Sequence, residues 1–406
     1  LLQVGDENGP LAGEVGYDTL APNATVQIRG QTSSRYTQKN YKVKLKKNKG
    51  SWRGQRTIAL NKHQGEGLRF RNKMAYDLIK GIDQMMGLRT QFVHLYVKDL
   101  TDSASGVFED YGLYTQVEQL NKTALKAHGV DPNGQLYKIN SFEFYRYEDV
   151  IRLTTDPAYD QTAFEKHLEI KGNSDHSKLI KMLDVLNDES SSMDDELFVT
   201  YFDKENIAYW MAFQLLTGNT DTQNRNVYLY SPQNSSKWYL WDWDNDGMLR
   251  RREREIINFS DSESWERGVS NYWGNVLFRR CLQTQSYRDL LDTAMKELYA
   301  YMNEERIQSM MEHYRSVTEK YVWQMPDRMN VPITHDEYEE VLKSIWPEID
   351  ENYNYYWESY RKPMPFYIGK PQVVNGSLLL TWDPSYNFEI ENIYYTVELA
   401  KDYLFT

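Results

Sequence analysis

A single cysteine, Cys281, stands among 406 residues. That count excludes an intrachain disulfide and any zinc site built on cysteines. It leaves the compartment open, because exported proteins without disulfides are common. Long apolar runs are missing as well: no stretch nears the ~18 consecutive apolar residues that a membrane-crossing helix needs. Net positive charge is also lacking. The formal charge is −12 and the pI is about 5.2, which argues against a general nucleic-acid binder, whose footprint is a basic face. The histidines have no metal-ligand spacing; His94, inside a strand pattern, reads as a core residue. The opening LLQVGDENGPLAGEVGYD holds neither a signal peptide nor an initiator Met, so the sequence reads as trimmed, with its address segment removed.

What is present describes a folded chain, with 40% hydrophobic and 26% charged residues. The length suits one large two-lobed domain with a small appendage. Tyrosine and tryptophan are abundant, 32 and 11, which hints at extracellular or surface life. Positive charge collects in KNYKVKLKKNKGSWRGQR. That stretch suits an anionic small ligand or an acidic partner, or it is a solvated strand and loop.

Residues 24–30 and 40–47 alternate apolar and polar, predicting two antiparallel strands joined by residues 31–39. Tyr41, Val43 and Leu45 fall on one face of the second, Lys42, Lys44 and Lys46 on the other. Residues 68–82 have helical spacing, and 90–99 and 110–120 are two more strands around a polar turn with Gly106. Helices are expected over 177–188, 204–218, 284–322 and 336–361, and strands over 226–230 and 237–244. RRRER at 250–254 reads as a solvated loop or as a contact for an acidic protein substrate. The Pro-rich linker and strands of 363–406 look like the opening of a fibronectin type III-like sandwich, too short to complete one. The order predicts an α+β bilobal plan over 1–362, with a sheet-rich N-lobe of about 1–140, a helical C-lobe of about 141–362, and a ligand cleft between them.

GNTDTQNRNVYLY, residues 218–230, concentrates polar side chains just ahead of a strand. Asp221 and Asn226 stand in the spacing D-x-x-x-x-N, and the next strand delivers Asp242 and Asp244 in WDWDND. This pattern suits phosphoryl transfer, in which one Asp deprotonates a hydroxyl while an Asn and another Asp hold Mg²⁺. Two plainer readings compete. The loop is simple capping chemistry, or WDWDND binds Ca²⁺. An EF-hand reading from Asp242 puts Gly247 sixth but draws Arg250–Arg252 into the loop, which disfavours it.

IRGQTSSRYTQKNYKVKL, LNKH…LRFRNKMAYDLI, HLYVKD…YGLYTQVEQL, GQLYKIN, NTDTQNRNVYLY and WYLWDWDND occur in this order. Together they resemble the spore coat protein H (CotH) kinase family, an atypical branch of the protein-kinase-like fold, over roughly residues 25–250. The resemblance implies a loop Arg29–Arg35 in place of the Gly-rich phosphate loop, with Arg29, Ser33 and Ser34 near the phosphates. It implies Lys42 or Lys44 as the strand lysine, and Val117–Gln119, with Glu118, as the hinge near adenine. Asp221 would be the catalytic base, Asn226 a metal ligand, and Asp242 or its rival Asp244 the second ligand. The lysine's acidic partner would be Asp77 or Glu118. The implied activity is transfer from ATP, with Mg²⁺ or Mn²⁺, to Ser or Thr of an acidic or hydroxyl-rich protein at a cell or spore surface. The runner-up is a non-catalytic adhesion or coat protein on the same fold.

Overall fold

The computed structural model describes residues 1–30, 32–101, 106–259, 264–389 and 392–402. Gln31 of the expected phosphate loop, and 102–105 of the expected polar turn, lie outside the described residues.

The alternating segments build one antiparallel sheet. β1 (Ala24–Arg29), β2 (Asn40–Leu45), β3 (Thr57–Asn61), β4 (Thr90–Lys98) and β5 (Phe108–Glu118) pair in the order β1-β2-β3-β5-β4. Val43, Ile58, Leu60 and Tyr114 form a small core on one face. β1 departs from its alternation: Val26 and Ile28 are 66% and 53% exposed, because the strand lies at the sheet edge, outside that core. His94 is also not a core residue; it is partly exposed and pairs with Asp110 at 2.6 Å.

α1 (Arg71–Ile79) starts later than the periodicity predicts. Arg69 takes a left-handed φ of 64°, which interrupts helical geometry, while Leu68 and Phe70 still enter the core. α2 (Lys122–Ala127), α3 (Gln161–His167) and α4 (Ser177–Asn187) precede α5 (Lys204–Leu216), and α7 (Val276–Gln283) follows it. α5 is buried on every side from Asn206 to Leu216, beyond the single stripe that its spacing suggests. Apolar residues all round a helix place it inside a core. Asp203 caps it by accepting the Asn206 N–H at 2.9 Å. α8 (Gln285–Tyr301) and α10 (His335–Ser359) pack on it. The expected helix 284–322 is broken before α9 (Glu304–Val322), which Asn303 caps.

A second antiparallel sheet lies among these helices. β6 (Gln135–Ile139), β7 (Leu168–Ile170), β8 (Val227–Ser231) and β9 (Tyr239–Asp242) run in the order β9-β8-β6-β7. Register places Tyr228 between Trp241 on one side and Lys138 on the other. Trp238 and Trp241 of this region are fully buried. Burying one large apolar side chain contributes about 1.5–3 kcal/mol, so the frame behind the polar loop is firmly packed.

RRRER is not a loop: α6 (Arg251–Ile256) carries it, and Arg251 and Arg252 pair with Glu351 and Glu340 of α10. In the tail, β10 (Gln372–Val374) and β11 (Ser377–Leu379) form an exposed hairpin. No sandwich is built among the described residues.

Candidate active site

The polar run after α5 is an anchored loop. Gly218 takes φ 60°, and a Cβ there would meet the Asn352 amide nitrogen at 2.8 Å. Asn219 donates to Gln214 Oε1 at 3.0 Å, and Thr222 donates to the Asn219 carbonyl at 3.0 Å. Asn271 and Asn275 donate to the carbonyls of Thr220 and Gln223 at 3.0 and 2.8 Å. Asn224 donates to Glu143 Oε1 at 2.6 Å. The density of amides and hydroxyls in the sequence therefore holds an irregular backbone whose own groups have no ladder partners.

This loop presents Asp221 and Asn226 together. Asn226, with φ 56°, donates its side-chain N–H to the Asp221 carbonyl at 3.1 Å and to Asp221 Oδ2 at 3.0 Å. With its nitrogen so engaged, the amide keeps its Oδ1 available as an acceptor. Partial desolvation raises the Asp221 pKa from its ordinary value; Arg225 opposes this and Asp246 adds to it, and the side chain remains more than half exposed.

The second acidic stretch separates its members. Asp242 is 1% exposed. Gln214 donates to its Oδ1 at 2.7 Å, and Asn245 donates to its Oδ2. Burial pushes its pKa up to about 7. With both oxygens held by amides, Asp242 supports the turn. Asp244 is half-buried, at φ 65°. α1 positions it: the Asp244 N–H donates to the Tyr76 hydroxyl at 3.1 Å and the Asn245 N–H to Asn72 Oδ1 at 3.2 Å. Burial and then Asp246 raise the Asp244 pKa to about 6, against Arg29, Lys138 and His63. Asp246, 50% exposed, faces His63 Nδ1 at 3.7 Å. Burial would raise its pKa, but His63, Arg250 and Arg254 outweigh that and lower it.

Cations meet Asp244 from both sheets. The Arg29 guanidinium and the Lys138 ammonium each lie over the Trp243 ring, at 5.6 and 5.7 Å from its centroid. Arg29 also donates to Asn61 Oδ1 at 2.5 Å. Lys42 is close enough to feel Lys171, Glu169 and Arg29; burial first, then Lys171, lowers its pKa. Lys44 is exposed. Of the two strand lysines, Lys42 is thus the one beside Arg29.

Ser33 and Ser34 open a short turn, Ser33–Arg35. Asn40 donates to Ser33 Oγ at 2.9 Å, and Lys39 donates to the Ser34 carbonyl at 2.9 Å. Glu118 does not join the cluster. It is buried, bound by Arg89 and by His128, the latter at 2.7 Å. Burial would raise its pKa, yet His128 and Arg89 bring it down to about 2. Asp77 is held by Lys73 and Lys80, each at 2.6 Å, and by the Tyr314 hydroxyl at 2.7 Å. Neither acid meets Lys42; Glu169 is the carboxylate acting on it.

Sequence reading missed Lys138, Lys171, Glu169 and His63 as site residues. Lys138 lies in GQLYKIN, and its alternation with Tyr137 and Ile139 marks it as facing away from the core. The pairing of β7 with β6 that brings in Glu169 and Lys171, and the placement of His63 after β3, have no local signal.

Asn226 Oδ1 and the carboxylates of Asp221, Asp244 and Asp246 offer hard oxygens within electrostatic reach of one another, although the three carboxylates do not converge within 4.8 Å in this structure. Asp246 raises the pKa of both Asp221 and Asp244, so the group carries repulsion that a divalent cation relieves. The donors fit Mg²⁺ or Mn²⁺. A cavity of about 30 Å³ under the loop, lined by Asn219, Thr220, Tyr272 and Asn352, has room for about one water, not a nucleotide. Glu319, His335 and Glu339 also converge, but Arg315 already bridges both glutamates.

The family described as CotH kinase protein matches residues 26–356. No curated protein sequence matches the chain. Among solved structures, a chain from the Shewanella oneidensis MR-1 toxin–antitoxin complex of HipA, HipB and operator DNA is similar, at TM-score 0.32 and 12% identity. The match covers 74% of this chain and 58% of that one, a likeness too slight to argue from. The family match spans well over half of the sequence and includes both the Asp221–Asn226 loop and the Asp242–Asp246 turn: the chain belongs to the CotH kinase family.

Proposed function

We propose that this protein is an ATP-dependent kinase that moves the γ-phosphoryl group to serine or threonine of a surface or coat protein. In this reading the first sheet with α1 is one lobe, the second sheet with the helices is the other, and the triphosphate binds between them. One observation carries it. Arg29 and Lys138 flank Asp244, and Lys42 and Lys171 lie within electrostatic reach of Arg29 and Lys138, inside a chain of net charge −12. The sum of these cations exceeds the charge of Asp244 and Glu169. A polyanion relieves their mutual repulsion and is stabilised by them.

Asn226 and Asp244 would hold Mg²⁺ or Mn²⁺, with Asp246 beside them; the ion supplies charge neutralisation on phosphate oxygens. Asp221 Oδ1 accepts the proton of the attacking hydroxyl. The new O–P bond forms as the bond from Pγ to the β-bridging oxygen breaks, and ADP leaves with that electron pair. The raised pKa of Asp221 suits a base that must hold a proton briefly. The tyrosine-rich composition supports a cell- or spore-surface location.

Thermal denaturation with ATP and Mn²⁺ tests the reading. Ligand at ~100 times Kd adds about 2.7 kcal/mol to the folded state. The wild type should gain a clear rise in Tm that Asp244→Ala loses. No rise with ATP and either metal favours a non-catalytic adhesion or coat protein.

A further inference from the structure

Arg225, between Asp221 and Asn226, has specific surroundings. Its Nε lies 3.6 Å from Asp221 Oδ1 and donates to Asn224 Oδ1 at 3.3 Å. Asn224 is itself fixed: it donates to Glu143 Oε1 at 2.6 Å, and its carbonyl accepts the Phe142 N–H at 2.9 Å. Glu143 is fixed in turn by the Tyr147 hydroxyl, which donates to Oε2 at 2.6 Å. A relay of three side chains thus aims one exposed guanidinium at the carboxylate. Among the described residues, its two terminal nitrogens make no hydrogen bond. A plain surface ion pair contributes about 0–1 kcal/mol and needs no such scaffold.

Geometry says what lies within its reach. Asn226 already donates to Asp221 Oδ2, which leaves Oδ1, the oxygen beside Arg225, as the less engaged acceptor for a hydrogen bond from a hydroxyl. That bond spans about 2.7 Å, and a near-attack oxygen stands about 3–3.5 Å from phosphorus. The transferring phosphoryl group therefore falls within about 6 Å of Oδ1. The Arg225 guanidinium, with its Nε 3.6 Å from Oδ1, starts within that radius.

We propose that Arg225 is a catalytic residue that donates its terminal N–H groups to the transferring phosphoryl oxygens as the acceptor O–P bond forms and the bond to ADP breaks. This rests on the phosphoryl-transfer reading of the same site. It adds a cation from the loop itself to Arg29 and Lys138. Planar guanidinium donors match phosphoryl oxygens in a way an ammonium does not.

The test follows ADP release by the full chain with ATP, Mn²⁺ and a pool of Ser/Thr-containing peptides, for wild type, Arg225→Ala and Arg225→Lys. Arg225→Ala should keep the wild-type Tm and its rise with ATP and Mn²⁺, and lose about 100-fold in kcat with little change in KM for ATP. Added guanidinium ion at millimolar concentration should restore part of that loss, and Arg225→Lys should lie between. A kcat for Arg225→Ala within threefold of wild type overturns the assignment and leaves the kinase reading standing. Loss without guanidinium rescue, or loss accompanied by a lowered Tm, also overturns it in favour of a structural ion pair. A wild type that releases no ADP above background overturns the kinase reading and this assignment together.

Discussion

Asn226 ties its side-chain amide to both the carbonyl and the carboxylate of Asp221, at 3.1 and 3.0 Å. The D-x-x-x-x-N spacing is therefore a closed unit, in which the asparagine orients the acid and keeps its own oxygen free. Asn226→Asp removes that amide donor and sets two carboxylates against each other. Metal-dependent phosphoryl transfer should fall by at least about 100-fold, measured as label moved from γ-labelled ATP, while the Tm without ligand changes by only a few degrees.

Asp242 and Asp244 should separate cleanly under mutation. Asp242 is enclosed by the amides of Gln214 and Asn245, so Asp242→Ala orphans two buried donors. Each unsatisfied buried group costs about 1–3 kcal/mol, and urea denaturation should show a loss of about 2–6 kcal/mol for the two. Asp244→Ala should leave the urea midpoint nearly unchanged and abolish the Mn²⁺-dependent effect of ATP. The reverse pattern would make Asp242 the ligand.

Lys138 should matter more to nucleotide affinity than Lys44. A charge-assisted hydrogen bond contributes about 1.5–3 kcal/mol, equivalent to roughly 10–100-fold in affinity. Lys138→Met keeps most of the stem that lies over Trp243 and should weaken ATP binding by that factor in calorimetric titration. Lys44 is exposed, and Lys44→Ala should bind ATP as the wild type does.

Buried carboxylates give the stability a pH signature. Glu348 of α10 is 5% exposed and accepts the Arg251 N–H at 3.2 Å. Burial pushes its pKa up to about 7, with Arg251 and Arg71 offsetting only part. In the unfolded chain it titrates near ~4.3. Between those values the folded state holds the extra proton, so its contribution is complete below ~4.3 and is lost as pH rises through about 7. Glu348→Gln should therefore gain Tm relative to wild type on going from pH 5 to pH 8. Glu118 has the opposite sign: with a folded pKa of about 2, its contribution holds above ~4.3 and is lost as the pH falls. An offset for Glu348→Gln that is equal at pH 5 and pH 8 would contradict the assignment.

Much of this arrangement was legible in the residues. Period-two alternation located β2 and the β8–β9 hairpin, and the run of amides and acids before Val227 located the loop. What the sequence hid was tertiary. Asp242 and Asp244 share a strand pattern, but the left-handed turn at Asp244 sends one carboxylate inward and the other toward Arg29. Lys138 and Lys171 come from strands whose neighbours are set by sheet order rather than by local spacing. Glu118 suits a hinge acid on paper, yet register puts it opposite Ile58, on the face away from Lys42, where Arg89 and His128 hold it. RRRER reads as a loop by charge alone; glutamates from α10, far along the chain, turn it into a docked helix.

The most direct test is transfer of label from γ-labelled ATP with Mn²⁺, comparing wild type with Asp221→Asn at matched concentration. Labelled wild-type chain or Ser/Thr peptide that needs the metal, with none in the variant, is the expected result. Equal labelling of both, or none in either while the protein remains folded, would contradict a phosphoryl-transfer site built on Asp221.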